Sequence, residues 1–493
     1  MEELLLSSDF EKSLANIEQY VKTILYENDA KKTKPLWLHF QKLMNLMYFN
    51  EGNSKRPREP DGTENQSKKL KLESVLTRFP NEMWIKILTY LPTKNIFGGF
   101  AQVSKRFNYL TTSIKCLHWN FEIYLEKVKI TLERSIYLTA LIIENSMHHG
   151  TQTYSINESI KYALLVCPRL KFIRVSRSKD DNACSFSTEV KKYAKALEKI
   201  EFKNFQVDGK TLIEISKLET LKSVAISTKW AITFKPKFIK ALAESKNQLE
   251  AIDFQLTTKE PSNKNELRSN LNDLLKMKSQ TITYLGLEIR EKSCKNGCVP
   301  LKNLSLCKNL ETYNGYLHSH DFVYISEVPR LKTLNFDCQY HNWYGEVVSL
   351  LNQLDLSALK HLSIHYNAIF QDKKLFKTIA NICFPSLERF YIHPNDTSDY
   401  HRAVKEENFK DLVKNAPNLR IVEIGENLNS WYITNEYVLQ ILEDRNIFVQ
   451  FEDSTRQSQL ENFLQQKQAY QMYKVMKKKS LRWRETKVSN SKN

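Results

Sequence analysis

A recurring strand signature constrains this chain more than any other feature of its sequence. In each copy a leucine or isoleucine is followed three and five positions later by apolar residues, giving Leu-x-x-apolar-x-apolar. The copies start at Leu138, Leu170, Leu197, Leu221, Leu249, Ile282, Leu331, Leu359, Leu387 and Leu419, with a degenerate copy at Leu310 that places Gly315 at its last apolar position. Successive copies lie 21 to 33 residues apart, and the intervals centre on 28. Eleven copies at one rough period predict stacked units that share one core, because a single unit cannot bury its apolar face alone.

The segments between the copies predict a helix in many of the repeats. Apolar residues recur at helical spacing in residues 160–165, 190–197, 238–242, 267–275, 347–354 and 409–413. Several copies begin with Pro-x-Leu, as at Pro168-Arg169-Leu170. The pattern resembles leucine-rich repeats of an irregular kind, since the Asn that usually follows the strand is mostly absent. The resemblance implies an α/β fold over residues 121–452, a curved parallel sheet with outer helices in about eleven repeats.

A second organised stretch, residues 79–110, precedes the repeats. Pro80 suits the first turn of a helix, because it lacks an N–H and has a fixed φ. Apolar residues then recur at helical spacing in two segments separated by Pro92: Met83, Trp84, Ile87, Leu88 and Leu91, then Ile96, Phe97, Phe100, Val103 and Phe107. Short helices of this length bury too little apolar surface to be stable alone. The pattern leaves two interpretations open: a subdomain packed on a larger core, or a module that completes its core on a partner.

Residues 74–119 resemble an F-box. The likeness rests on Phe-Pro-x-Glu from Phe79, Ile-Leu-x-x-Leu-Pro-x-Lys-Asn-Ile from Ile87, Val-Ser-Lys-Arg-Phe from Val103, and the final His118-Trp119. Phe79, Ser104 and the pair Gly98-Gly99 depart from the usual residues of the family. Paired glycines cost about 1 kcal/mol each in a helix interior, so we expect a loosened turn there and weaker partner binding than in an ideal member.

The F-box resemblance implies a non-catalytic receptor. Such a chain docks on a Skp-type adaptor, and through it on a cullin scaffold, as the substrate-recognition subunit of an SCF-type ubiquitin ligase whose repeats bind a protein for ubiquitination. The residues expected at or under the adaptor surface are Pro80, Trp84, Ile87, Leu88, Leu91, Pro92, Ile96 and Val103. Phe107 is expected to face the receptor's own core. Two alternatives stay open: a nuclear scaffold that binds nucleic acid or acidic partners through a basic linker and tail, and an F-box scaffold that does not direct degradation.

The flanking segments predict further domains. Residues 1–50 read as an amphipathic helical hairpin that packs on the F-box or the repeats, or that dimerises through the same face. The linker at residues 51–73 carries two basic clusters whose spacing resembles a bipartite nuclear-import signal, namely Lys55, Arg56 and Arg58, then Lys68, Lys69 and Lys71. The alternative is that the linker serves only as a solvated hinge. The F-box is assigned to residues 74–120, and the repeats follow it. In residues 453–493 the pattern predicts a last helix through Met472 and then a basic tail. This tail either binds an acidic partner, nucleic acid or membrane, or stays solvated.

Bulk properties predict an intracellular protein, and together with the basic linker they lead us to expect it in the nucleus, the cytoplasm or both. The 493 residues imply two or more folded units, and no run of eighteen apolar residues is present. The start lacks the basic residues of a signal peptide, and the 8 cysteines are scattered, as reduced thiols are.

A possible metal site can be drawn from Cys294, Cys298, Cys307, His318 and His320. It lacks a second tight Cys pair, so we predict structural thiols. Phosphate-binding glycine loops and hydrolase motifs are absent, so neither a cofactor, a metal nor catalysis is expected.

The positions between the apolar residues of each copy should line the concave strand face. The candidates for substrate contact there are Arg174, Lys203, Asp253, Asn335, His365 and His393, among further face residues Lys171, Glu201, Glu288, Asp337, His361, Tyr391 and Glu423. Mixed charge with histidine and tyrosine suits a protein partner. A phosphate-reading surface would need clustered arginine, which this face lacks in sequence. The net charge of +17 permits acidic partners or nucleic acid without requiring them.

Overall fold

The computed structural model describes much of the chain after residue 114. The described residues are 115–120, parts of 129–144, 153–176, 184–227, 236–258, 262–291, 299–317, 319–338, 344–366, 374–394, 406–425, 433–452 and 454–477. The predicted N-terminal hairpin, the basic linker, the adaptor-binding residues and the tail after residue 477 lie outside them. The chain divides into two compact units, residues 1–180 with 192–197, and residues 181–191 with 198–493.

The first unit contains three parallel strands. These are β1 (Cys116–Asn120), β2 (Ala140–Glu144) and β3 (Phe172–Ser176), with helix α1 (Thr153–Val166) between β2 and β3. Leu117, Leu141 and Ile173 lie opposite one another in register and are buried. The sequence predicted β2 and β3 but not β1, because residues 116–120 were assigned to the F-box.

The second unit contains ten parallel strands in chain order. They are β4 (Lys199–Lys203), β5 (Ser223–Ser227), β6 (Ala251–Thr258), β7 (Tyr284–Glu291), β8 (Thr312–Tyr316), β9 (Thr333–Cys338), β10 (His361–Tyr366), β11 (Arg389–Pro394), β12 (Ile421–Ile424) and β13 (Phe448–Phe451). Each strand pairs with the next along the chain. Parallel neighbours need a crossover connection, and the segments between the strands supply it.

Helices follow most of these strands. They are α2 (Ser187–Tyr193), α3 (Gly209–Ser216), α4 (Pro236–Glu244), α5 (Ser262–Lys278), α6 (Phe322–Ser326), α7 (Tyr344–Gln353), α8 (Lys374–Asn381), α9 (Glu406–Asn415), α10 (Asn435–Arg445) and α11 (Ser454–Gln466). Between β7 and β8 the described residues include a 3-10 turn (Lys302–Leu306), and a second one (Ser319–Asp321) leads into α6. All six helical segments predicted from periodicity overlap an observed helix.

The core lies between the strands and the helices. In unit two the second residue of each strand faces inward, so that Ile200, Val224, Ile252 and Leu285 lie side by side and are buried. The leading leucines of the copies are buried as well, for example Leu221 at 0% exposure. A parallel sheet with helices at a period near 28 residues is the leucine-rich-repeat fold that the signature predicts, and the prediction is confirmed.

Local capping fixes the ends of two of these helices. The Asp208 carboxylate accepts from the Thr211 backbone N–H over 2.8 Å at the start of α3, and Thr434 caps α10 in the same way. Asn446 ends α10 in the left-handed region with φ 53°. Asparagine tolerates that conformation better than most residues, which lets the chain turn directly into β13.

The degenerate copy at Leu310 still forms strand β8. Gly315 stands where other copies have an apolar side chain, and its φ is +152°. A Cβ on Gly315 would lie 2.0 Å from the Leu287 carbonyl oxygen, so the backbones approach too closely for any side chain. Tyr313, at 0% exposure, supplies the bulk of the core in this strand.

The C-terminal end differs from the single helix predicted through Met472. α11 ends at Gln466, Gln468 adopts φ 58°, and a second helical segment covers residues 470–477. This turn brings Tyr473 back under the sheet, where it is 0% exposed and its ring centroid lies 4.9 Å from that of Phe448. The described helices include none with the length and apolar character needed to cross a bilayer.

Candidate functional site

The candidate site is the polar strand face, defined as the first, third and fifth residues of strands β4 to β13. Second and fourth residues point into the core, so side chains at the other positions stand on the opposite surface of the sheet. Exceptions are the first residues of the last two strands, Ile421 and Phe448, which are buried as well. Strand register aligns them in three rows, and neighbouring strands lie about 4.8 Å apart. The rows therefore present side chains from successive repeats to one partner.

The structure places five of the six predicted substrate-face residues on this face. Asp253 and Asn335 occupy the third row on β6 and β9, while Lys203, His365 and His393 occupy the fifth row on β4, β10 and β11. His365 and His393 are register neighbours, whereas Lys203 is six strands away from His365. Their role in substrate contact stays a prediction.

Arg174, the sixth predicted residue, belongs to the first unit. It is the third residue of β3, between the buried residues Ile173 and Val175. Its guanidinium carbon lies 5.5 Å from the centroid of the Phe172 ring. An arginine over an aromatic ring at this distance forms a cation–π contact.

Carboxylates concentrate on strands β4 to β7. Glu201 is 6% exposed, and its Oε1 lies 3.3 Å from Lys199 Nζ on the same strand. Asp253 lies two strands away in the same row, with Ala225 between them. Burial raises the pKa of Asp253 to about 6; Lys203 opposes this shift, and Glu201 and Glu288 add to it. Burial therefore makes the ionised form of Asp253 less favourable than it is in an exposed carboxyl, although this form still predominates at neutral pH.

Tyr284 and Gly286 complete the surroundings of Asp253. Burial raises the pKa of Tyr284 to about 12, with a further contribution from the Asp253 charge, while a hydrogen bond with Asn314 acts the other way. Gly286 lies directly opposite Asp253 in register, and a Cβ on it would stand 2.6 Å from Asp253 Oδ1. The missing side chain leaves room for the carboxylate over the β7 backbone.

Aromatic and histidine side chains concentrate on strands β10 to β13. The rings of His365 and Tyr391 are 5.2 Å apart at their centroids, and the Tyr391 hydroxyl donates to Glu452 Oε1 over 3.1 Å. His365 Nε2 lies 3.3 Å from the Ser363 hydroxyl. These contacts hold a histidine and a tyrosine in fixed positions on the surface, as interface anchors are held.

An arginine–glutamate pair supports this second cluster. Arg389 is the first residue of β11, and its Nε and Nη2 both donate to Glu423 Oε2, the former over 2.8 Å. Glu423 is 2% exposed. Burial lowers the pKa of Arg389, although the Tyr391 nearby acts in the opposite direction. The pair neutralises the buried Glu423 charge beneath the exposed part of the face.

Most of the first row of this face was not predicted from the sequence, although His361 was. Lys199, Tyr284 and Arg389 lie directly before the second apolar residue of their copies, and they were not among the residues assigned to the face. Extending the alternation of period two by one step toward the N-terminus would have found them. Glu452 was missed because the last strand carries no full copy of the signature.

No metal site appears within the described ranges. They hold no group of three His, Cys, Asp or Glu side chains arranged to bind an ion. Cys307, one member of the metal set considered above, is buried, and burial raises its thiol pKa to about 12. A thiol of that kind is neutral and packs as a small apolar group. Cys294, Cys298 and His318 lie outside the described residues.

Comparison with known proteins identifies the N-terminal module. The F-box domain family matches residues 76–119. No curated protein matches the chain. The match ends inside β1, so the last residues of the F-box domain form the first described strand of the repeats.

Among solved structures the chain is similar to several proteins at low identity. The crystal structure of the Rad7 and Elc1 complex in yeast shares 16% identity over 78% of this chain and 87% of that chain, with a TM-score of 0.44. The TLR13–ssRNA13 complex shares 12% over 64% of this chain and 46% of that one, with a TM-score of 0.35. A protein from Bacteroides fragilis shares 11% over 63% and 75%, with a TM-score of 0.32. All three TM-scores are below 0.5, so no conclusion about function is drawn from these similarities. The chain therefore combines an F-box domain at residues 76–119 with a parallel-sheet repeat architecture of the leucine-rich-repeat kind.

Proposed function

We propose that this protein is the substrate-recognition subunit of an SCF-type ubiquitin ligase. The observation that carries the proposal is the F-box domain at residues 76–119, followed without an intervening linker by repeats that present a polar strand face. One end of such a chain binds an adaptor, and the other end holds a protein substrate.

The adaptor end rests on the F-box residues. Pro80, Trp84, Leu88, Leu91 and Val103 belong to the set expected to contact a Skp-type adaptor or to lie beneath that contact, and the adaptor in turn joins a cullin scaffold. Apolar residues at helical spacing that do not complete a core by themselves gain burial area on a partner. In the second helix predicted from the sequence, we expect Gly98-Gly99 to cost about 1 kcal/mol per glycine and so to lower the affinity for the adaptor.

The substrate end rests on the polar strand face. Lys203, Asp253, Asn335, His365 and His393 are the substrate-contact residues in the second unit, and Arg174 is the corresponding residue in the first. Interfaces concentrate their energy in a few well-packed side chains, and tyrosine and arginine are prominent among these. Holding a substrate near a charged ubiquitin carrier raises its effective concentration, so the receptor contributes position rather than chemistry.

Co-purification with a Skp-type adaptor tests the adaptor end. We expect the wild-type chain to bring down the adaptor, and the double variant Pro80→Ala/Leu91→Ala to lose most of it. Glu219→Ala/Glu244→Ala, which changes two exposed residues of the repeats, is the control. Circular dichroism and the thermal midpoint show whether each variant is folded. Undiminished adaptor binding by a folded Pro80→Ala/Leu91→Ala variant would contradict the proposed docking surface.

Localisation is a separate part of the proposal. The basic clusters of the linker, Lys55-Arg56 with Arg58 and Lys68-Lys69 with Lys71, are proposed to bind an import receptor through their accessible positive charge. Replacing all six cations by glutamine should move a fluorescent fusion from the nucleus to the cytoplasm. An unchanged distribution would leave the linker as a solvated hinge.

A further inference from the structure

The Asp253 carboxylate has no charge partner in direct contact. No hydrogen bond or salt bridge reaches it from the part of the chain that the structure describes, although Lys203 acts on it at longer range. The Asp253 side chain is partly buried and lies between two further acids of the same face, Glu201 and Glu288. A partly buried charge without a counter-ion in contact costs stability, and such costs are commonly tied to function.

Small side chains next to Asp253 indicate a recess on this face. They belong to Ser223, Ala225, Ser227, Ala251 and Gly286, whereas Gln255, two residues further along β6, is longer and accepts a hydrogen bond from the Ser227 hydroxyl over 2.6 Å. Larger side chains border this area, with Lys199 and Lys203 on β4 and Tyr284 on β7. Three strand spacings separate β4 from β7, or about 14 Å, which is room for an extended peptide and one long side chain.

The polar strand face opposes the overall charge of the chain. Its described side chains include three cations and four carboxylates, a net −1, whereas the whole protein carries +17. These charged residues are Lys199, Lys203, Arg389, Glu201, Asp253, Glu288 and Glu423. Two of these cations are paired, Lys199 with Glu201 and Arg389 with Glu423. A negative face on a positive protein attracts cations selectively and excludes polyanions.

We propose that the polar strand face between β4 and β8 binds an extended, lysine- or arginine-bearing segment of a partner protein. One cation of that segment enters the recess and pairs with Asp253, next to Glu288 and the ring of Tyr284. A carboxylate with an aromatic ring beside it is suited to an ammonium or guanidinium group, which gains an ion pair and a cation–π contact together. This inference rests on the proposed function and specifies the chemistry of the substrate.

Binding of a fluorescent oligolysine to the purified adaptor complex tests the proposal. The chain's positive net charge repels such a peptide, so measurable binding at about 50 mM salt reports a local negative site. We expect anisotropy to rise with oligolysine, and the double variant Asp253→Asn/Glu288→Gln to weaken binding at least about tenfold. Glu219→Gln/Glu244→Gln, with the same change in charge on exposed residues elsewhere, should bind as the wild type does.

The pH dependence provides a readout that general electrostatic attraction does not give. A bound cation favours the ionised form of Asp253, so binding releases the proton that this carboxyl holds near pH 5. We expect affinity for oligolysine to rise about fivefold or more from about pH 5 to about pH 7.5 in the wild type. Asp253→Asn, which keeps the shape and cannot titrate, should show a flatter profile. The groups that face Asp253 are Lys203, Glu201, Glu288 and Tyr284, and each is retained in that variant.

Three results would overturn the proposal. The first is equal oligolysine binding by the wild type and by Asp253→Asn/Glu288→Gln. The second is that a matched oligoglutamate binds more tightly than oligolysine and that the same variant alters this binding, and the third is at least tenfold tighter oligolysine binding after deletion of residues 478–493. The last would show that the chain's own basic tail occupies the face. The adaptor complex must form for any of these measurements, so loss of adaptor binding is seen first and separates a failure of the proposed function from a failure of this inference.

Discussion

Arg268 and Asp321 form an ion pair in the interior of the second unit. Arg268 Nη2 lies 2.7 Å from Asp321 Oδ1 and 2.6 Å from Oδ2, and the two residues are 2% and 0% exposed. Asp321 Oδ1 also accepts from the Leu301 backbone N–H over 2.7 Å, and Arg268 Nε donates to the Val299 carbonyl. The pair thus connects α5 to the two short 3-10 turns.

Breaking this ion pair should destabilise the protein strongly. Asp321→Ala leaves the Arg268 guanidinium buried without a counter-charge, and we expect a loss of about 3–5 kcal/mol in the free energy of unfolding. Replacing both partners, as in Arg268→Met/Asp321→Leu, removes both buried charges and should cost less than Asp321→Ala alone. Urea unfolding measures each value.

An exposed ion pair supplies the control for that comparison. Lys240 Nζ and Glu244 Oε1 on α4 are 3.9 Å apart, and both side chains are largely exposed. Glu244→Ala should change stability by less than about 0.5 kcal/mol, because water screens the pair. Equal losses from Asp321→Ala and Glu244→Ala would show that the buried pair does not support the fold in the way described.

Gly315 should tolerate no side chain. Gly315→Ala places a Cβ 2.0 Å from a backbone oxygen of β7 and forces alanine into φ +152°, so we expect a loss of about 3–5 kcal/mol. Gly286→Ala is the matched variant on the neighbouring strand. Its Cβ meets the end of the Asp253 side chain, which can rotate away, and the expected loss is about 1–2 kcal/mol. A smaller loss for Gly315→Ala than for Gly286→Ala in urea unfolding would contradict the close approach of β7 and β8.

The sequence predicted the repeats well because their signal is local. Each strand copy carries its own alternation of apolar residues, and the helices between copies carry their own periodicity. Even the copy at Leu310 was located, since Tyr313 preserves the pattern where Gly315 interrupts it. Strand β1 was missed because residues 116–119 fit two patterns, the end of an F-box and a copy built on Ile114, Leu117 and Trp119.

Contacts between repeats left no comparable signal in the sequence. Arg268 and Asp321 are 53 residues apart, and neither belongs to a motif. The row that places Asp253 beside Gly286 depends on strand register, which becomes visible only when the repeats are stacked. The sequence therefore located the face and several of its residues, while the grouping of carboxylates on β4 to β7 and of rings on β10 to β13 required the structure.

Asp253 should make stability depend on pH in an unusual direction. Its folded pKa of about 6 lies above its ordinary value of 3.8, so the folded state holds a proton that the unfolded state has released between these values. The folded state therefore loses stability as pH rises from about 4 to about 6. Asp253→Asn should be more stable than the wild type by about 1–2 kcal/mol at about pH 8, after allowance for solvent screening, and lose this advantage near pH 4.

Urea unfolding of the two proteins at both pH values measures this difference. Glu219→Gln, which neutralises an exposed carboxylate, is the control and should match the wild type throughout. Chemical shifts of the Asp253 carboxyl carbon give the pKa directly. A stabilisation by Asp253→Asn that is the same at both pH values would contradict the shift.

Tyr473 should protect the C-terminal end of the repeats. Its hydroxyl donates to the Val449 carbonyl over 3.0 Å and accepts from Gln457 Nε2 over 2.8 Å, while its ring packs on Phe448. Terminal repeats need such a cover, because β13 has no following strand within the described residues and would otherwise expose its apolar side and its edge. Burial also raises the pKa of Tyr473, so the phenol is neutral and stays a hydrogen-bond donor.

Two substitutions at this position separate the ring from the hydroxyl. Tyr473→Phe keeps the packing and loses two hydrogen bonds, for an expected cost of about 1–2 kcal/mol in unfolding free energy. Tyr473→Ala removes the ring as well and should cost about 3–5 kcal/mol, with faster proteolysis near residue 470. Tyr470→Ala, at a half-exposed ring 6.4 Å from that of Tyr473, is the matched control and should cost less. If Tyr470→Ala is as damaging as Tyr473→Ala in urea unfolding, the cover depends on the whole segment 470–477 and not on the buried tyrosine.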